Sequence, residues 1–257
     1  MKVHIRYVEF TDLPTNIQKI INQFIDPYLV DPNVVGIMLV GSYANSIPDK
    51  NSDIDIHIVL EESEERERGN VFIDGIEVEY FINPLNQMMA YLKEEKEDLR
   101  PTTADMLQNG VILYLEESFR TEITELINLA KEVMSEPVPA YSVAEIEMLK
   151  YGLDDITKDL VDSHSENNII AYHLNALSIV KQAITTFFRI YRVKQEKAKR
   201  LSEQFSGLDP NFHELLLSVF TSDYDMISIL ALIRYLEEKL GGKRPEAWSY
   251  TAELTIN

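Results

Sequence analysis

The hydrophobic pattern of this chain changes character at residues 136–139, where two prolines stand within three positions. Before that segment, short runs rich in β-branched and aromatic residues alternate with helical stretches, and after it the runs typical of strands disappear. The predicted strands are Val34–Val40, Asp53–Leu60, Val71–Ile82 and Val111–Leu115. We therefore predict an α+β fold, with a small mixed-sheet domain over residues 1–136 and a C-terminal α-helical bundle over residues 140–257.

Helix-start signals mark out the predicted bundle. Ser142 and Glu145 fit a capping box, and apolar residues then recur every three or four positions up to Leu160. A helix that is apolar nearly all round follows over residues 168–191, and Asp209 before a proline predicts a third helix. A fourth covers residues 225–240 and ends at two glycines. Four helices with connecting loops favour an antiparallel bundle.

The composition excludes several kinds of chemistry. The chain has 257 residues and no cysteine, which excludes disulfides, thiolate metal sites and cysteine nucleophiles, so oxygen or imidazole must hold any metal. The first ten residues contain no hydrophobic run of signal-peptide length, and no segment approaches the roughly 18 apolar residues of a membrane span. We therefore expect a cytoplasmic protein.

The net charge of −19 argues against a protein that binds nucleic acid phosphates. Residues 1–150 carry 12 basic and 28 acidic groups, whereas the remainder carries 12 and 15, so the acidity belongs to the N-terminal part. An acidic surface attracts cations over a distance. The charge therefore favours a small, cationic partner over a nucleic acid.

The most informative segment is Val35–Leu60, in which an apolar strand runs into Gly41-Ser42 and a second strand contains Asp53-Ile54-Asp55. Side chains alternate across a strand, so the two aspartates share one face. Two carboxylates so close repel each other unless a cation lies between them, and hard oxygen ligands favour Mg²⁺. His57 follows on the same face, where we expect a buried, hydrogen-bonded histidine.

Gly41 and Ser42 indicate what such a metal would act on. A glycine at a strand end allows the backbone to approach a ligand closely, and a serine that starts a helix offers a hydroxyl to a phosphate. Together with the acid pair they predict a site for a nucleoside triphosphate such as ATP.

Two-metal phosphoryl transfer requires a third acid. Glu77 and Glu79 share a face of a later predicted strand, and either residue could complete the cluster. We prefer Glu77 and keep Glu79 as the close alternative. The predicted metal ligands are therefore Asp53, Asp55 and Glu77.

The order of these residues resembles the signature of the DNA polymerase β-like nucleotidyltransferase superfamily. That signature is a hydrophobic residue with Gly and Gly or Ser, an acid–hydrophobic–acid triplet about ten residues later, and a third acid on a strand. The resemblance implies a Mg²⁺-dependent enzyme with two ions that transfers a nucleoside monophosphate from an NTP to an acceptor hydroxyl, with release of pyrophosphate.

The wider layout resembles the kanamycin-type aminoglycoside nucleotidyltransferases, which implies a small-molecule acceptor and an acceptor-binding helical domain. In those enzymes an acid on the first helix after the boundary acts as general base, and a lysine one turn later contacts phosphate. Asp154 and Lys158 hold these positions here, although Asp155 could equally take the place of the acid. An ordinary intrahelical ion pair is the alternative.

Two other functions remain open at this point. The acceptor could be a protein side chain, or the chain could bind nucleotides without catalysing a reaction. The sequence is compatible with either a monomer or a homodimer.

Overall fold

The computed structural model describes residues 4–5, 13–45, 47–249 and 251. The chain divides into two compact units, Met1–Glu136 and Pro137–Asn257. Within the described ranges, none of the helices is both long and apolar enough to cross a bilayer.

The first unit is built on a mixed sheet, which confirms the predicted fold class. Its order is β1-β6-β2-β3-β5-β4. The strands in the described residues are β1 (His4–Ile5), β2 (Val34–Val40), β3 (Ile54–Leu60), β4 (Glu67–Ile73), β5 (Ile76–Pro84) and β6 (Val111–Glu116). Strands β3 and β5 are parallel, whereas the other neighbouring pairs are antiparallel.

Helices cover both faces of this sheet. They are α1 (Thr15–Ile25), α2 (Gly41–Ala44), α3 (Leu85–Glu94), α4 (Thr102–Leu107) and α5 (Arg120–Ser135). The apolar residues of α1 pack with Ile54, Ile56 and Ile58 on one face, and those of α3, α4 and α5 pack with Val40 and Val59 on the other. Side chains alternate along β3, so Asp55 and His57 lie on the same face of the sheet as Val59. This is the face covered by α3, α4 and α5.

The predicted strand over residues 71–82 is in fact a hairpin of β4 and β5. Asp74 and Gly75 form its turn with positive φ values of 52° and 80°, a geometry for which an Asp-Gly pair is a strong signal. Strand β4 also takes in Glu67 and Arg68, which precede the predicted strand. The two-residue β1 was not predicted.

The second unit is helical, as predicted. The α-helices in its described part are α6 (Val143–Ser165), α7 (Ile169–Tyr191), α8 (Leu201–Leu208), α9 (Pro210–Thr221) and α10 (Met226–Lys239). Ser142 and Glu145 form the capping box, and Asp209 and Asp225 cap α9 and α10. Helix α8 is additional to the four predicted helices. It buries Phe205 against Phe187 and Phe212, in a cluster of aromatic rings at the centre of the unit.

Candidate active site

Three carboxylates meet at one end of β3. Asp55 lies in β3 directly opposite Glu79 in the parallel strand β5, and Asp53 immediately precedes β3. One carboxylate oxygen from each residue lies within 4.8 Å of the other two. Asp55 is only 9% exposed, whereas Asp53 and Glu79 are half-buried. This acid group is compatible with binding a divalent cation.

Gly41 makes the close packing of the acid group possible. It follows Val40, which pairs with Asp55, and its φ of +69° lies in the left-handed region. A Cβ atom at this position would lie 2.8 Å from Cγ of Asp55 and closer still to Oδ2. The side-chain amide of Asn45 donates to the Gly41 carbonyl at 2.7 Å and so holds the turn in place. Ser42 follows within α2 and is half-buried.

The structure brings Glu79, not Glu77, into the acid group. Glu79 is the residue opposite Asp55, and Glu77 lies two residues earlier in β5. Glu77 accepts a hydrogen bond from the side chain of Asn70. Glu79 accepts from Nε and Nη2 of Arg68 at 3.0 Å and 2.6 Å. Because the β3–β5 register sets this choice, our preference for Glu77 as third acid gives way to Glu79.

Asp154 and Lys158 lie on α6 of the second unit. Lys158 Nζ is 2.7 Å from Asp154 Oδ2, and Arg244 Nη2 is 3.0 Å from the same oxygen. The hydrogen bond from Lys158, helped by the charge of Arg244, holds the pKa of Asp154 below its usual value, which weakens it as a base. Asp155 is exposed. The assignment of these residues to base and phosphate contact remains a prediction.

His57 differs from the expected hydrogen-bonded histidine. Its side chain is buried, and neither ring nitrogen has a hydrogen-bond partner among the described residues. Burial lowers its pKa to about 4, so the ring is neutral at pH 7. The imidazole stacks on Phe81 with the ring centroids 4.7 Å apart. Its place two residues after Asp55 was visible in the sequence, but its lack of partners was not.

A pocket beside the acid group was also missed by the sequence. It has a volume of about 440 Å³, and Arg68 is one of the residues that line it. Because Arg68 also donates to Glu79, the pocket adjoins the acid group. Its lining comes from five separate elements, which no local sequence pattern could have brought together.

Comparison with known proteins adds three findings. Residues 17–125, which include the acid group and Gly41, match the family model of the nucleotidyltransferase domain. None of the curated proteins gives a match. Among solved structures, the chain is similar to a nucleotidyltransferase-like protein from Exiguobacterium sibiricum 255-15 at 13% identity, over 87% of this chain and 74% of the other, with a TM-score of 0.49.

The family match covers the segment in which Gly41, the two aspartates and Glu79 come together. Residues 17–125, which are 109 of the 257 residues, therefore match a nucleotidyltransferase domain.

Proposed function

We propose that this enzyme transfers a nucleoside monophosphate from an NTP to a hydroxyl of a small-molecule acceptor, with Mg²⁺ as cofactor and pyrophosphate as the leaving product. The observation that carries the proposal is the group of Asp53, Asp55 and Glu79 beside Gly41, within the residues that match the nucleotidyltransferase domain. Carboxylate clusters beside a phosphate-binding turn suit phosphoryl transfer, because the reaction depends on positioning and on compensation of charge.

The chemistry of the acid group fits Mg²⁺. The group offers three carboxylate oxygens, and the chain has no thiolate to favour a softer metal. Asp53, Asp55 and Glu79 would hold the ion or ions. When bound, Mg²⁺ neutralises phosphate charge and lowers the pKa of a coordinated hydroxyl.

The protein's own residues supply the positioning. Gly41 and Ser42 would bind the triphosphate through their backbone and the Ser42 hydroxyl. The fixed turn at Gly41 keeps these groups next to Asp55, since Asn45 holds the Gly41 carbonyl and is itself held by the Asn109 amide at 2.9 Å. Pre-positioned groups of this kind reduce the entropy lost on reaching the reactive geometry.

The strand order defines two sides of the site. Gly41 follows β2, Asp55 lies in β3 and Glu79 lies in β5. Asp55 and Glu79 therefore lie between Gly41, where the triphosphate would bind, and the edge of the sheet beyond β5. With the triphosphate on the Gly41 side, the acceptor hydroxyl approaches from the Glu79 side. Arg68 fixes the Glu79 carboxylate through its two donors and so orients the acid nearest to that hydroxyl.

Asp154 and Lys158 complete the proposal as general base and phosphate contact. The proposed base is the Oδ2 atom of Asp154, which accepts from Lys158. Its lowered pKa means that it would need to lose its cationic partners before it could accept a proton efficiently.

Pyrophosphate release tests the proposal. The enzyme is incubated with Mg²⁺, each of the four NTPs and a panel of aminoglycosides, lincosamides and simple alcohols; aminoglycosides are included because the acidic charge of the chain favours a cation. Asp55→Asn is expected to lower the rate by about 10³-fold, since it removes one ligand and one negative charge. Asp74→Asn, at the exposed hairpin turn, is the matched control and should retain the wild-type rate.

An Asp55→Asn enzyme with the full rate would contradict the assignment. Mass spectrometry of cellular proteins incubated with enzyme and NTP gives the other decisive result, because a nucleotide adduct on a protein, with no small-molecule product, would replace the proposed acceptor class.

A further inference from the structure

The pocket beside the acid group has the size of a small-molecule site. We call it the edge pocket, because it is lined by the edge strand β4, by β3 and β5, and by the helices α3 and α4. Its volume of about 440 Å³ is within the usual range for small organic ligands. The residues that characterise it are His57, Arg66, Phe81, Asn83, Tyr91 and Met106.

The edge pocket lies on the acceptor side of the acid group. Arg68 lines the pocket and also donates to Glu79, so the two sites share a residue. In the strand order, β4 and β5 lie beyond β3 on the side away from β2, which leads into Gly41. A molecule in the edge pocket therefore approaches Glu79 from the side opposite to the proposed triphosphate.

The lining of the edge pocket contains Arg66, Glu67 and Arg68, of which Arg68 pairs with Glu79. Arg66 donates to the hydroxyl of Tyr91 and has no carboxylate partner within the described part of the chain. Glu67 also borders the pocket, but its carboxylate accepts the Tyr80 hydroxyl at 2.7 Å. Tyr80 packs with the α1 side of the sheet, the face opposite to the pocket. The guanidinium of Arg66 therefore remains uncompensated at the rim.

Stacked side chains line one part of the edge pocket. His57 stacks on Phe81, and the guanidinium of Arg68 lies 4.9 Å from the centroid of the same ring. Neither nitrogen of His57 is satisfied by a described residue, and an unsatisfied buried polar group is costly to maintain. Stacked rings next to an unpartnered imidazole suit a planar, aromatic ligand that carries polar groups.

We propose that the edge pocket binds the acceptor, and that the acceptor is a small planar organic anion bearing a hydroxyl. This inference rests on the proposed function for the transfer of a nucleoside monophosphate to the bound hydroxyl, whereas the preference for an anion rests on the pocket alone. The planar body lies against Phe81 and His57, the anionic group pairs with Arg66, and the hydroxyl points towards Glu79. It replaces the cationic acceptor that the overall charge favours, because the group that would contact the charged end of the molecule, Arg66, is positive.

A series of probes with a common hydroxyphenyl-ethyl body and a negative, neutral or positive end group tests this inference without NTP or metal. The probes are 3-(4-hydroxyphenyl)propionate, its amide, and tyramine. Binding is measured by NMR on protein with ¹³C-labelled methionine methyl groups. Met88 and Met106 line the edge pocket and report binding there, whereas Met148 and Met226 lie in the second unit and serve as references. The propionate is expected to bind about tenfold more tightly than tyramine, as for a charge-assisted contact.

Arg66→Gln is expected to reduce binding of the propionate to the level of the amide. Arg120→Gln is the matched control, since Arg120 pairs with Glu117 and does not line the pocket. Tyramine binding as tight as that of the propionate, shifts confined to Met148 and Met226, or no propionate binding at millimolar concentration would overturn the inference.

The outcomes separate this inference from the proposed function. Selective binding of the anion at Met88 and Met106 supports the pocket assignment even if no probe or panel compound releases pyrophosphate, a result that would count against the proposed reaction alone. Transfer to acceptors that is unaffected by Arg66→Gln would instead sustain the reaction and overturn the pocket assignment.

Discussion

Gly41→Ala is expected to disable metal binding by displacing one carboxylate. The new Cβ atom would lie 2.8 Å from Cγ of Asp55 and closer still to Oδ2, nearer than Cβ atoms approach other heavy atoms in proteins. Asp55 is buried and has little room to yield. Its carboxylate must therefore move by about 1 Å, and a displacement of that size at a reacting group lowers rates by about 10²-fold. The left-handed φ of Gly41 adds about 1 kcal/mol of backbone strain for alanine.

Gly75→Ala is the matched control for that experiment. Gly75 also has a positive φ, of +80°, but an added Cβ would meet no atom within 4 Å. Gly75→Ala should lose about 1 kcal/mol in the free energy of unfolding, measured with urea, and Gly41→Ala should lose more because of its contact with Asp55. Only Gly41→Ala should weaken Mn²⁺ binding, by at least about tenfold in calorimetry, and pyrophosphate release with it. Wild-type Mn²⁺ affinity in a folded Gly41→Ala protein would refute the argument that Gly41 makes room for the acid group.

Three further variants test other parts of the structure. Ser142→Ala should lower the free energy of unfolding of the second unit by about 1 kcal/mol, because it removes the α6 capping box; Ser165→Ala, whose hydroxyl donates only to the Asp162 carbonyl, should have little effect in the same urea titration. Burial alone would raise the pKa of Asp209, but hydrogen bonds from Tyr191, Tyr235, the Phe212 amide and Lys239 hold it below its usual value. The stability that this carboxylate contributes is therefore present above the unfolded pKa of about 3.9 and is lost as the pH falls further. The melting temperature should fall more steeply below pH 4 in the wild type than in Asp209→Asn, and equal slopes would contradict this. Arg68→Gln should tighten Mn²⁺ binding by about threefold, because it removes the cation that pairs with Glu79. The effect is small because the Arg68 side chain is 69% exposed and its charge is partly screened; weaker binding would show that Arg68 mainly positions the acid.

Local signals in the sequence predicted the features that depend on a few adjacent residues. The capping box of Ser142 and Glu145 formed as expected, since both partners lie within one helical turn. Asp53 and Asp55 lie within one acid group because side chains alternate along a strand.

Features that depend on pairing between distant segments were missed. Glu77 and Glu79 share a face of β5, so alternation alone could not separate them, and only the parallel register with β3 places Glu79 opposite Asp55. The lack of partners at His57 likewise depends on which residues of other elements surround the ring. The hairpin turn at Asp74 and Gly75 was different, because its Asp-Gly signal was present in the sequence and was overlooked.

That hairpin bears on the acceptor more than the overall charge does. The net charge of −19 acts across the whole surface, but at physiological ionic strength its effect falls off over about 8 Å, so groups in contact with a bound molecule dominate its recognition. Strand β4 of the hairpin carries Arg68, which holds Glu79, and Arg66 lies just before it at the rim of the edge pocket. The long-range field therefore favours the arrival of cations, whereas Arg66, which has no carboxylate partner among the described residues, favours an anionic group at the edge pocket. A selective acceptor must satisfy the second condition, because discrimination comes from contacts made in the bound state.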